Sequence, residues 1–254
     1  MRRLRMPAVL LLLLLGSVLS WGADRPQLTV FAAADLAFAF KEIVPLFEKV
    51  TGATVTLTVG STGTFAHQID AGAPADVFFA ANQSFVDDLV AKGRLIRETR
   101  TLYAQGRIVL ATHRGAGRPL SELRELTDAR IRRVAIANPV HAPYGKAAEE
   151  ALRAAGVWER VRPKLVYGDN IRQALQFIQS GAAEAGIVAL SVASVPEIQF
   201  VPIDPGLHQA LHQAAAVVKR SAVPEVGLAF IQFVTGPQGR PIMKRYGFLL
   251  PGEF

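Results

Sequence analysis

Past residue 24 the chain repeats one unit: a short β-branched run, a loop of small polar residues, then apolar residues at helical spacing. That alternation confines it to α/β architectures, in which parallel strands are covered on both faces by the helices that connect them. Leu28 to Ala32 reads as a strand, and Leu36 to Val50 as a helix bent or broken at Pro45 and stopped by Gly52. Thr54 to Val59 is a strand, Gly60 to Thr64 a loop, Phe65 to Ala71 a helix, Asp76 to Ala80 a buried strand and Gln83 to Lys92 a helix. A second set begins after Tyr103. Its strands are Arg107 to Ala111, Arg133 to Ala137, Lys164 to Tyr167 and Gly186 to Leu190; its helices are Lys146 to Ala155 and Ile171 to Ser180. Ala214 to Val218 precedes two final helices, from about Pro224 to Val234 and from Pro237 to Tyr246. No Gly/Ser-rich or Pro-rich linker separates the sets. They read as two lobes joined by short extended crossings near residues 103 to 106 and 205 to 214, with residues 24–104 plus 213–254 in lobe 1 and 105–212 in lobe 2.

The N-terminus has three arginines within Met1 to Arg5, the apolar run Met6 to Leu15, and small or polar residues at Ser20, Gly22 and Ala23. A basic head, an apolar stretch too short to span a bilayer and a small-residue cut site predict a signal peptide over residues 1–23. The expected location is therefore the periplasm. Formal charge is +7, and removal of the leader leaves 25 basic and 21 acidic side chains, near +4. These charges are scattered, with no aromatic-interleaved basic cluster, so a nucleic-acid partner is not expected. The chain has no cysteine, which excludes thiolate metal sites, iron–sulfur clusters, disulfides and a Cys nucleophile.

In open α/β sheets ligands gather beyond the carboxyl ends of the strands, where helix N-termini present unpaired N–H groups. Four junctions suit such a site: Ala33-Ala34-Asp35-Leu36, Gly60-Ser61-Thr62-Gly63-Thr64, Val140 to Gly145, and Gly168-Asp169-Asn170-Ile171. The hydroxyls of Ser61, Thr62 and Thr64 could surround an oxyanion or serve as ordinary helix caps, and spacing alone leaves both readings open. Tyr144 reads either as a donor aimed at a cleft or as a surface tyrosine, and Asp169 as a helix cap. His208 and His212 lack the glutamate of a zinc-binding HExxH, His67 fits an exposed helix face, and only His141 is a candidate for a cleft role. No GxSxG elbow or Ser-His-Asp spacing suggests an enzyme, and no cofactor is expected.

Five segments carry a family resemblance: VFAAADL (30–36), STGTFAHQIDAGAPADVFFAAN (61–82), ANPVHAPYGKAAEEAL (137–152), GDNIRQAL (168–175) and GPQGRPIMKRYGF (236–248). In these the chain resembles the periplasmic molybdate-binding proteins of bacterial ABC importers, over essentially the whole mature length. The resemblance implies a type II periplasmic-binding-protein fold, each lobe a mostly parallel sheet flanked by helices, with the ligand cleft between lobes. It also implies closure on a small tetrahedral oxyanion, molybdate or tungstate, that is passed to a membrane permease; two lobes joined by short crossings are themselves expected to close by hinge motion as a monomer. Carried over, the ligand contacts fall at Thr62, Ala81, Tyr144 and Ile171, with Ser61 and Asp35 in the same loops, and the metal centre is reached only through its oxygens. Two positions depart from the family pattern: Asp35 replaces a usual serine, and Ala189 replaces a frequent tyrosine whose hydroxyl Tyr144 can supply. An ionised Asp35 is an acceptor where a donor is needed. The expectation is that it turns back to cap the helix beginning at Leu36; otherwise it accepts from a cargo carrying its own O–H, or binds the metal centre. The alternative cargoes are accordingly a protonated oxyanion or a small organic acid, and a secreted enzyme on the same fold is the more distant alternative.

Overall fold

A computed structural model describes residues 25–254, and the signal-peptide reading of residues 1–23 lies outside them. Two five-stranded sheets form the frame. The first has strands β1 (Gln27–Ala33), β2 (Thr54–Gly60), β3 (Val77–Ala80), β4 (Thr101–Gly106) and β10 (Leu211–Val217), in the order β2-β1-β3-β10-β4. The second has β5 (Ile108–His113), β6 (Val134–Ala137), β7 (Leu165–Gly168), β8 (Ala185–Ala189) and β9 (Ile198–Pro202), in the order β7-β6-β8-β5-β9. Helices α1 (Ala37–Thr51), α2 (Thr62–Asp70), α3 (Gln83–Ala91), α8 (Pro224–Thr235) and α9 (Gly239–Arg245) accompany the first sheet. Helices α4 (Pro143–Ala154), α5 (Trp158–Val161), α6 (Ile171–Gln179) and α7 (Leu190–Ala193) accompany the second. Among the described residues no helix is long and apolar enough to cross a membrane.

The sheets are not wholly parallel. β1 runs parallel to β2 and β3, and β6 parallel to β7 and β8, but β10 is antiparallel to β3 and β4, and β5 to β8 and β9. The cause lies in the crossings. A parallel pair needs a helical crossover to return the chain, whereas an extended crossing carries it directly into the next sheet. Residues read as a crossing, 103 to 106, are strand β4, and only Arg107 separates it from β5. The helix α1 also differs from expectation, running unbroken through Pro45. Pro45 and Lys41, whose carbonyl loses its partner, are both on the exposed face, where water replaces the missing N–H.

The first core forms between α1, β3 and α8, with Phe40, Phe47, Phe79 and Phe230 in edge-to-face contacts at 5.0 to 5.6 Å. The second core includes Ala33, Ala34 and Ala81 from the strand ends of the first sheet. The two halves therefore meet through the carboxyl ends of their parallel strands, where the chain has its shortest side chains.

Candidate functional site

The parallel strands β1, β2, β3, β6 and β7 all end at one small buried pocket. It is lined by Asp35, Ser61, Thr62, Ala81, Tyr144 and Ile171, together with Ala33, Ala34, Gly60, Ala142, Pro143 and Asn170. Helices α2, α4 and α6 begin in its wall at Thr62, Pro143 and Ile171. Their first turns direct the positive ends of three helix dipoles toward it, although Pro143 has no N–H and the amides of Gly63, Gly145, Arg172 and Gln173 are already engaged. The lining contains no Lys, Arg or His.

Each loop has a separate task. Ser61 does not cap α2; its hydroxyl donates to the His141 carbonyl at 2.6 Å and lies 2.9 Å from His141 Nδ1. The Gly63 N–H donates to the same carbonyl at 2.9 Å. A Cβ on Gly63 would lie 2.7 Å from that oxygen, so the glycine lets the two loops latch together. Thr62, 1% exposed, accepts the Ala81 N–H at 3.0 Å through Oγ1. That bond commits the Ala81 amide and leaves the Thr62 hydroxyl proton free to donate. On the other side Asn170, rather than the exposed Asp169, caps α6, accepting from the amides of Arg172 and Gln173. The amide of Ile171, the first of the helix, is left at the pocket wall.

Asp35 does not act as a cap. It sits inside the 3-10 turn Ala34–Leu36, and neither that turn nor α1 receives a side-chain cap. Its Oδ2 instead accepts from the Tyr144 hydroxyl at 2.9 Å and from Gln213 Nε2 at 2.8 Å. Gln213 also donates to the Tyr144 oxygen at 3.0 Å, closing a triangle in which all three residues are buried. Tyr144 is thus no surface tyrosine, and its proton goes to Asp35. Burial pushes the Asp35 carboxyl from 3.8 up to about 6, against the lowering effect of the Gln213 and Tyr144 hydrogen bonds and of the Asp35 and Leu36 amides. The Tyr144 phenol is pushed well up, first by burial and then by the neighbouring carboxylate.

The family profile for bacterial extracellular solute-binding proteins matches residues 28–249. The chain belongs to this family. Among its relatives, the molybdate-binding protein ModA of Escherichia coli is 34% identical over 236 residues, spanning 90% of this chain and 91% of that protein. ModA of Rhodobacter capsulatus is 34% identical over 249 residues, 97% of this chain and 96% of the relative. The solved periplasmic molybdate-binding protein of Azotobacter vinelandii superposes with a TM-score of 0.82 at 29% identity, covering 88% of this chain and 99% of that one. The two sheets with their flanking helices are the two-lobed fold of this family.

Within that fold the pocket unites all six residues singled out from the sequence. Sequence reasoning missed Gln213, Ser191 and Gly106. Gln213 is a polar amide directly before the apolar stretch AAAV (214–217), a signal that a strand beginning at Ala214 leaves out. Ser191 donates to the Asp35 carbonyl at 2.8 Å and ties the second half to the first. Gly106 makes room for the triangle, since a Cβ there would fall 2.1 Å from the Tyr144 hydroxyl and 2.8 Å from Gln213 Nε2. Among the described residues no group of three His, Cys, Asp or Glu side chains is placed to hold a metal ion.

Proposed function

We propose that the protein is an extracytoplasmic receptor that binds molybdate between its lobes and hands it to the membrane permease of an ABC importer. The observation carrying this reading is the convergence of three helix N-termini on a buried pocket that has no cationic side chain. Main-chain dipoles and hydroxyls can hold a tetrahedral dianion while leaving its release unopposed by an ion pair. The molybdate named for the relatives in Escherichia coli, Rhodobacter capsulatus and Azotobacter vinelandii supports the choice of cargo. Tungstate has the same shape and charge and belongs to the same reading.

Thr62 is the hydroxyl donor and Ile171 the main-chain donor. Ala81 orients Thr62, Ser61 latches the lobes, and Tyr144 braces Asp35. The lobes comprise residues 24–104 plus 213–254 and residues 105–212, and they close about the crossings as a monomer in the periplasm, to which the leader of residues 1–23 delivers them. The protein binds rather than turns over its cargo. Ser61 and His141 have the separation of a nucleophile and base, yet the serine proton is directed at the His141 carbonyl and not at the ring.

Calorimetric titration with molybdate, tungstate, sulfate, phosphate and citrate tests the assignment. Molybdate and tungstate are expected to bind at least about tenfold more tightly than the others, a gap of about 1.4 kcal/mol. Tighter binding of citrate or phosphate would overturn it. Thr62→Ala is expected to weaken molybdate binding by about 1–3 kcal/mol, the range for a hydrogen bond to a charged group. Affinity within twofold of the parent would show that Thr62 only braces Ala81.

A further inference from the structure

Asp35 is the one lining residue whose ordinary ionised form opposes an anionic cargo. Its side chain is 1% exposed and forms part of the pocket wall. Oδ2 holds two side-chain donors, Tyr144 and Gln213, and the main-chain amides of Asp35 and Leu36 add a weaker pull on the carboxylate, whereas Oδ1 is buried and makes no well-formed hydrogen bond. The groups around it offer no counterion. Helix α4 brings Tyr144, β4 brings Tyr103, β10 brings the amide of Gln213, and α7 and β2 carry no titratable side chain. From α6, Arg172 lies 4.4 Å over the Phe38 ring, and from α1, Lys41 lies over the same ring while Glu42 pairs with Arg245. His141 is engaged by Ser61, and the His212 ring packs against Phe254. Among the described residues no cation pairs with Asp35.

A carboxylate only accepts hydrogen bonds, as does a fully ionised oxyanion, so the two have nothing to exchange. A carboxylic acid differs in having one O–H to donate, as a serine does. We propose that Asp35 engages the oxyanion as a neutral acid, its Oδ1–H donating to an anion oxygen, so that each anion is bound together with one proton. This inference rests on the receptor reading above. Tyr144 and Gln213 keep Oδ2 as an acceptor, which leaves Oδ1 as the oxygen that carries the proton. Burial already pushes the carboxyl up to about 6. A dianion entering a desolvated pocket raises its proton affinity further, because like charges at close range and low dielectric repel strongly. At neutral pH the proton comes from solvent, and it returns there when the anion leaves.

Proton uptake is measured by titrating molybdate in buffers of different ionisation enthalpy. Above about pH 7 the protein is expected to take up roughly one proton per anion, with affinity falling about tenfold per pH unit. Asp35→Asn places an N–H where the acid has its O–H, and its molybdate affinity is expected to be level over the same range with no proton uptake. Molybdate binding by the parent without proton uptake overturns the inference alone, as does uptake unchanged in Asp35→Asn. Absence of molybdate binding by both proteins from about pH 5 to 8 overturns the receptor's cargo assignment and this inference with it.

Discussion

Replacing Gly145 by alanine is expected to lower stability by about 2 kcal/mol and to disorganise the pocket, although alanine is the better helix former. A Cβ at this position would lie 2.1 Å from the Ala137 carbonyl oxygen, 2.7 Å from its carbon and 2.9 Å from the carbonyl carbon of Asn138. All three atoms are main chain at the end of β6, so no side-chain rotation relieves the contact. The first turn of α4 must retreat from the strand. Forcing a methyl into a close-packed site costs about 1–3 kcal/mol and sometimes more, while the propensity gain from glycine to alanine is at most about 1 kcal/mol. Overpacking therefore wins. Tyr144 precedes Gly145, and a retreating helix draws its hydroxyl away from Asp35 and Gln213, so molybdate affinity falls as well. Urea unfolding of parent and variant checks the first claim, and titration the second. A variant as stable as its parent would show that α4 is not pressed against β6.

That contact also shows which features could be read from the residues alone. The β/α rhythm, the pocket at the strand ends and the loops that build it follow from local patterns: β-branched runs, hydroxyls and glycines at helix starts, and a proline at the first position of α4. Strand direction does not, because it depends on what lies beside a strand rather than on its composition. β4 looks like a crossing for that reason; its partner β10 is about a hundred residues away in the chain. β9 is a half-exposed edge strand ending in Pro202, with little periodicity to find. The same limit governs the site. Positions 35 and 144 can each be placed in a cleft from the surrounding motifs. That the two side chains bond to each other across 109 residues, with Gln213 as the third member, requires the packing of both sheets. Taken alone, Asp35 looks like a cap, because short acidic residues before helices usually are.

Without ligand, the protein is expected to be destabilised by Asp35 at neutral pH relative to acid, and the stability of Asp35→Asn to gain on the parent's as pH rises, by an amount that disappears in acid. Burial raises the carboxyl from 3.8 to about 6 on folding, so the folded state holds its proton more tightly than the unfolded chain. Between those values folding takes up a proton. The associated stability is fully present below the unfolded value, is lost as pH rises toward about 6, and is absent above it. The interval corresponds to about 3 kcal/mol at 1.36 kcal/mol per pH unit. Asparagine is neutral throughout and carries no such dependence. It introduces one fixed change, an amide N–H at the position where Oδ1 has no partner, and an unsatisfied buried group of either kind costs about 1–3 kcal/mol. Because that change is independent of pH, the absolute difference between parent and variant is less informative than its variation. The gap measured by urea unfolding is expected to shrink by on the order of 3 kcal/mol from about pH 7.5 to about pH 3.5, roughly half of the change lying below pH 5. A gap that stays constant across that range would place the charge of Asp35 in contact with compensating donors in the folded protein. So costly a group in a pocket whose other lining residues are all uncharged is what a binding site holds when the ligand supplies the missing interaction.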